Sequence, residues 1–315
     1  LSTPTATTTT IGQQARILLQ LTRWREHLAY DIPLTALGAL LAIYGMSNGQ
    51  QLDFRLVTVM AANILAVAYA FMINDIEDAP DDARDPERKL TNPISAGRLS
   101  IRAGYNACRV VAVATLLLYA TGGTGVFIIG LATLALSHLY SWRPVRLKAY
   151  AVADVISHSL MLSGLIVLAG YFIYHTQPGV AWLVAAGVTL FSVYGQLYNQ
   201  LRDFEFDKQA GLNNTAIILG EKNTRIAIWV TIAIAMVCLI ASVIMGAFPF
   251  WLAGVVAIGL LISSFFSTQY DMRGSKSADA SGAMQVRAMV AVNVTILGWL
   301  AAQIITQMFF TTPMS

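Results

Sequence analysis

"FMINDIEDAPDDARD" (residues 71–85) sets six carboxylates, Asp75, Glu77, Asp78, Asp81, Asp82 and Asp85, directly behind an apolar run, and Glu87 follows just beyond. The whole chain has only 17 acids. The apolar run before this stretch, about 55–73, is long enough to cross a hydrocarbon core, which takes about 20 helical residues. The acids therefore mark the point where a membrane helix leaves the bilayer, and the rest of the chain is to be read as more such helices.

Composition agrees. Of 315 residues, 56% are hydrophobic and 12% charged, against about 25% charged in an ordinary soluble domain. Long apolar runs recur at about 32–48, 55–73, 104–121, 123–140, 151–174, 180–201, 225–245, 247–267 and 287–310. Backbone polar groups in lipid are satisfied only in helices or closed barrels, and these runs are too long for barrel strands. The expected fold class is all-α integral membrane with nine transmembrane helices. TGGT (121–124) and GAFPF (246–250) read as tight turns between antiparallel neighbours. The two cysteines, Cys108 and Cys238, lie inside apolar runs and read as packed thiols, with no metal signature.

With nine spans, one face collects 18 of the 20 Lys and Arg residues, Arg55 and Arg109 being the others. That bias predicts a cytoplasmic N-terminus and cytoplasmic acidic loops, in a plasma or inner membrane if the source is prokaryotic. Residues 1–10, without charge or apolar run, are expected to be a disordered tail rather than a signal peptide. Residues 11–29 space Ile11, Leu18, Leu21 and Leu28 around Arg16, Arg23 and Arg25, the pattern of an amphipathic helix on the membrane surface. The transmembrane domain then occupies 30–315.

The acids form two constellations. Asp75, Asp78 and Asp82 share one face if the second span continues as a helix, with Asn74 at its border. Pro80 would kink that helix or start a new turn. The second constellation, "QLRDFEFDKQAGLNNT" (200–215), carries Asp203 and Asp207 on one face. It sits at the matching place in a second set of four helices, which suggests two four-helix halves plus a ninth helix. Facing carboxylate stripes without His or Cys suit Mg²⁺, which bridges a few carboxylates and a substrate's phosphates. The implied ligand is a phosphorylated lipid, and Arg88, Lys89, Arg143, Arg146, Lys148 and Arg202 on the same face would neutralise its head. A solvated acidic loop is the plain alternative for either cluster alone; two clusters at matching helix ends weigh against it.

On these residues the chain resembles the UbiA superfamily of intramembrane prenyltransferases. The first aspartate motif of that family, N-D-x-x-D-x-x-x-D, is matched by Asn74, Asp75, Asp78 and Asp82, and the second by Asp203, Asp207 and Gly211. "NPISAGRLS" (92–100) and "LYSWRPVRLK" (139–148) are similar to two further family elements. Where the family often carries an arginine, Asn92 stands, so the resemblance shifts that basic role to Arg88 or Lys89. Tyr140 is followed at the usual lysine spacing by Pro144, leaving Arg143 or Lys148 to supply the charge.

The resemblance implies a central cavity ringed by the nine helices and Mg²⁺-dependent transfer of a prenyl group from an allylic diphosphate. The five aspartates would be catalytic and metal-binding, and the acceptor lipophilic, most often aromatic. Asn199 and Arg202 would line the head-group site, and Asp154 and His158, one turn apart on the fifth span, would touch the acceptor, relay a proton or simply pair with each other. Tyr194 and Tyr198 read as interfacial anchors. Membrane lipids are the surrounding partner, and no nucleic-acid partner is implied. A terpene cyclase and a carotenoid-prenylating enzyme use the same motifs. A cation transporter with acidic gates would instead place its acids near the bilayer midplane.

Overall fold

The computed structural model describes residues 10–45, 50–177, 179–209 and 211–310. Among these residues the regular elements are helices and no strand forms. In chain order they are α1 (Ile11–Leu21), α2 (Trp24–Tyr44), α3 (Phe54–Asp82), α4 (Pro86–Thr91), α5 (Ile101–Ala120), α6 (Thr124–Ser141), α7 (Ala153–Ser159), α8 (Leu165–Phe172), α9 (Val180–Arg202), α10 (Phe204–Gln209), α11 (Thr215–Ile244), α12 (Leu252–Ser263) and α13 (Ala280–Phe310). A wide π-turn, Leu160–Gly164, joins α7 to α8 as one span.

Eight of these spans are long and apolar enough to cross a membrane. The ninth apolar run, expected over 247–267, yields α12, only 12 residues long. At 1.5 Å per residue it is well short of a 30 Å core. The helices close on themselves: α2 packs on α3 and α8, α3 on α5 and α6, α7 and α11 on α9, α12 on α13, and α13 back on α2. At the α2–α8 contact the two backbones come close. A Cβ on Gly38 would fall 1.9 Å from the Val167 carbonyl oxygen, and one on Gly170 2.2 Å from that of Thr35. Small residues at such crossings let backbones approach in lipid.

Two expectations change at the N-terminus. Residues 1–9 of the expected tail lie outside the described residues, but Thr10 is already structured. Its hydroxyl accepts from the Gln13 amide while the Gln13 side chain accepts from the Thr10 N–H, a reciprocal cap for α1. The single helix expected over 11–29 is two helices, because the chain turns at Thr22 and Arg23, where Arg23 has φ 50°. The break turns Arg23 inward instead of leaving it on a membrane surface.

Candidate active site

α3 runs through Pro80 to Asp82 as one helix, so its one-sided spacing holds to the end. Phe71, Asn74, Asp75, Asp78 and Asp82 all face one cavity of 1610 Å³. Asp203, at the C-cap of α9, and Asp207, on α10, line the same cavity. The two acidic constellations thus share one space. Its polar mouth also holds Arg23, Arg88, Arg146, Lys148, Arg202 and Arg273, and its inner wall includes Ala70, Phe71, Met161 and Leu162.

The acids of the two motifs face the cavity singly, each held by a protein group. Lys148 Nζ reaches Asp78 at 2.5 Å and donates to Asn74 Oδ1 at 2.9 Å. Arg146 Nη2 donates to Asp78 at 3.1 Å and to Asp81 at 3.2 Å. Arg23 Nη1 lies 3.5 Å from Asp75, and Arg202 Nε 3.1 Å from Asp203. The Asn92 amide donates to Asp82 at 2.8 Å and to the Asp75 carbonyl at 2.7 Å, and the Asn214 amide donates to Asp207 at 2.7 Å. Arg23 and Arg146 both sit in left-handed backbone, a conformation rare for residues with a side chain and concentrated at functional sites. Arg146 Nε is buried with no acceptor.

Burial sets the charge balance of this mouth. Burial, and then the neighbouring Asp203, push the Asp207 carboxyl up to about 6. Burial lowers the Lys148 ammonium, an effect that Asp78 opposes. Burial, and then Arg202, lower the Arg273 guanidinium. Among the described residues no three carboxylates, imidazoles or thiols converge on one point. Mg²⁺ needs no such cage, since it is held by one or two carboxylates together with substrate phosphates and water. An all-oxygen donor set beside a buried, unpaired Arg146 Nε fits a metal–phosphate pair.

Several expected site residues stand elsewhere. Lys89 is exposed and does not line the cavity, whereas Arg88 does, with its guanidinium 3.9 Å over the Phe206 ring. Arg143 turns away to Glu77 and Asp81, where its Nη2 donates to Asp81 at 2.9 Å. The positive charge on Asp78 comes from Lys148 and from Arg146. Asp154 and His158 do not pair. Asp154 is fully buried and accepts from the Thr215 amide and hydroxyl and from Gln200 Nε2. It ties the start of α7 to the end of α9 and the start of α11, the two helices that flank the second motif. His158, Tyr140 and Asn199 line the cavity.

Glu77, Asp81 and Asp85, the remaining acids of the opening stretch, each have partners in the fold, Asp81 in Arg143 and Arg146. Glu77 is buried and accepts from the Tyr105 hydroxyl. Asp85 caps α4 through the amides of Glu87 and Arg88. Tyr194 and Tyr198 both hydrogen-bond within the protein. The Tyr194 hydroxyl donates to the Ser281 carbonyl, and Tyr198, fully buried, accepts from the Ala278 amide. With the Arg202–Asp271 ion pair at 2.9 Å, they hold the 264–279 segment near the mouth. Asp271 Oδ1 accepts from the Arg273 and Ser275 amides there, and the tight turn it makes delivers Arg273 to the cavity. Sequence reasoning missed Arg23 and Arg273 because each is brought in by a turn, which leaves no periodic signal.

Residues 32–289 match the model of the UbiA prenyltransferase family. Lycopene elongase/hydratase of Haloarcula japonica is 32% identical over 166 residues, half of this chain and 51% of that protein. Lycopene elongase/hydratase of Haloferax volcanii is 29% identical over 210 residues, 62% of this chain and 64% of that protein. The chain therefore matches about half of one relative and under two-thirds of the other. The structure of a UbiA homologue from Archaeoglobus fulgidus bound to GPP and Mg²⁺ superposes with a TM-score of 0.68 at 20% identity, over 91% of this chain and 99% of that one. On its apolar helices, its fold and a family match covering most of its length, the chain is an integral membrane protein that belongs to the UbiA prenyltransferase family.

Proposed function

We propose that this protein transfers a prenyl group from an allylic prenyl diphosphate to a lipophilic acceptor, releasing diphosphate, and that the acceptor is a linear polyene of the carotenoid class. One observation carries the transfer: both aspartate constellations line one cavity whose mouth is basic and whose inner wall is apolar. The polyene rests on the names of the two haloarchaeal relatives.

Asp75, Asp78, Asp82, Asp203 and Asp207 would hold Mg²⁺. When bound, the metal neutralises charge on the departing diphosphate and lowers the barrier to its leaving. Arg23, Arg146 and Lys148 bind the diphosphate oxygens, Arg146 through the Nε that otherwise lacks an acceptor. Donors already aimed where charge develops are the largest single contribution in most such sites. Arg88, Arg202 and Arg273 add to the field at the mouth. Phe71, Met161 and Leu162 keep water from the allylic cation, and Asn199 and Tyr140 border the head group. In the same reading α12 together with the non-helical segments on either side of it makes the eighth of nine crossings in a two-half arrangement, α1 lies on the membrane surface, and the N-terminus and the mouth face the cytoplasm.

The test is product analysis by mass spectrometry with dimethylallyl or geranylgeranyl diphosphate, Mg²⁺ and either lycopene or an aromatic acid. A prenylated polyene is expected, and Asp75→Ala and Asp203→Ala should each abolish it. A prenylated aromatic acid instead would replace the polyene, and a cyclic hydrocarbon formed without acceptor would replace transfer by cyclisation.

A further inference from the structure

After an allylic cation adds to a carbon–carbon double bond, the acceptor carries the positive charge and must lose a proton. We infer that His158 takes that proton, an assignment that rests on the transfer reading above.

Position comes first. His158 stands one turn inside the start of the fifth span, directly before the π-turn Leu160–Gly164. Such wide turns recur at functional sites, where they re-aim side chains. Here the turn seats Gly164 against Thr189 of α9, where a Cβ would meet the Thr189 hydroxyl at 2.4 Å. The result is that His158, Met161 and Leu162 all face the cavity.

The His158 ring lies against Tyr140, with centroids 5.9 Å apart. The next residue, Ser141, donates to Asn74, which also accepts from Lys148. His158 is therefore at the border between the polar mouth and the apolar wall formed by Phe71, Met161 and Leu162. The reacting carbon of a prenyl diphosphate, bonded to the phosphate on one side and to the hydrocarbon on the other, belongs at that border.

Chemistry comes second. His158 Nδ1 is buried and has no hydrogen-bond partner. Buried polar groups without partners are rare and call for an explanation. With no partner at Nδ1 to fix its tautomer, an uncharged imidazole keeps one N–H and one lone pair, and a ring that lines the cavity can offer that lone pair to an electron-poor substrate. The motif carboxylates are poorer candidates, being already engaged by Arg23, Arg146, Lys148, Asn92, Arg202 and Asn214.

The steps balance. The allylic C–O bond breaks and its electron pair leaves with diphosphate. The acceptor double bond supplies the pair for the new C–C bond, leaving a tertiary cation. His158 removes a proton from the neighbouring carbon, that C–H pair closes a new double bond, and the imidazolium returns the proton to the departing diphosphate. Water capture of the same cation gives the alcohol instead.

The test compares His158→Gln and His158→Phe with wild type in the full-length protein in lipid vesicles, using lycopene as acceptor. Phe keeps an aromatic ring against Tyr140, so at least one variant retains the packing. Loss of a general base predicts turnover lower by roughly 100-fold with donor KM within about twofold of wild type. The ratio of alcohol to alkene should rise in both variants. Turnover within about threefold of wild type, with an unchanged ratio, would overturn the assignment and give the proton to diphosphate directly. Wild-type protein that prenylates no acceptor would overturn the functional reading itself, and the assignment with it.

Discussion

Lys148 and Asp78, seventy residues apart in the chain, meet at 2.5 Å inside the polar mouth. The ammonium is buried and also holds Asn74, the first residue of the first aspartate motif. Replacing Lys148 with Met keeps most of the chain's bulk and removes the charge. It should lower kcat/KM for the donor by roughly 100-fold, the usual loss for one preorganised donor at a developing anion. Steady-state kinetics at saturating Mg²⁺ check this, and Lys148→Arg should recover part of the loss.

The acidity of Asp207 gives a pH prediction. Its carboxyl is raised from 3.8 to about 6, so the folded, metal-free protein holds this proton more tightly than the unfolded chain does. The sign is fixed by that difference. Protonation of Asp207 favours the metal-free fold as pH falls through about 6, and the proton competes with metal over the same range. The Mg²⁺ concentration for half-maximal transfer should therefore rise as pH drops below about 6, by at most roughly tenfold per unit. Asp207→Asn, with no proton to lose, should raise the Mg²⁺ concentration needed at every pH and flatten this trend.

Asp154 bridges the two helices that flank the second motif. It accepts from the Thr215 amide and hydroxyl and from Gln200, all in a buried setting. Asp154→Ala takes the acceptor from four donors, the Val155 amide included, at about 1–3 kcal/mol for each buried group left unpaired. A lower unfolding temperature in detergent and a loss of transfer should appear together. In Asp154→Asn, which keeps one acceptor oxygen, both effects should be smaller. A variant that loses transfer at unchanged stability would argue for direct contact with substrate.

The helix crossing at Gly170 is testable without any assay of activity. A side chain there meets the Thr35 carbonyl at 2.2 Å, and relief requires α2 and α8 to separate. Overpacking of this kind costs about 1–3 kcal/mol or more. Gly170→Val should lower the thermal midpoint measurably, and Gly254→Val, at a glycine with open space around it, should not.

The sequence made the helical class and the position of the first aspartate stripe legible because both are periodic. Asp75, Asp78 and Asp82 needed only an unbroken α3 to share a face, and α3 continues through Pro80. The same logic failed where the chain turns. Arg23 was read as part of a surface helix, but its left-handed backbone breaks that helix and turns the side chain to Asp75. Arg143 and Arg146 lie three residues apart, and only the fold decides that Arg146 reaches Asp78 while Arg143 goes to Glu77 and Asp81. Spacing allows Asp154 and His158 to pair, but donors on α9 and α11 occupy Asp154. The shortness of α12 was hidden because hydropathy measures how apolar a run is, not where its helix ends.

The paired state of the motif aspartates has a consequence for how a ligand enters. Asp75, Asp78 and Asp203 already have cationic partners in the protein. On the proposed function, arrival of a metal-bound diphosphate would be an exchange of counterions: the carboxylates would release guanidinium and ammonium groups to the phosphates and would hold the metal in their place. At Asp75, Asp78 and Asp203 a bare cation would have to displace an arginine or lysine, and a bare diphosphate would meet carboxylates. The mouth thus selects for the two together, and binding of the preformed pair should depend only weakly on bulk salt.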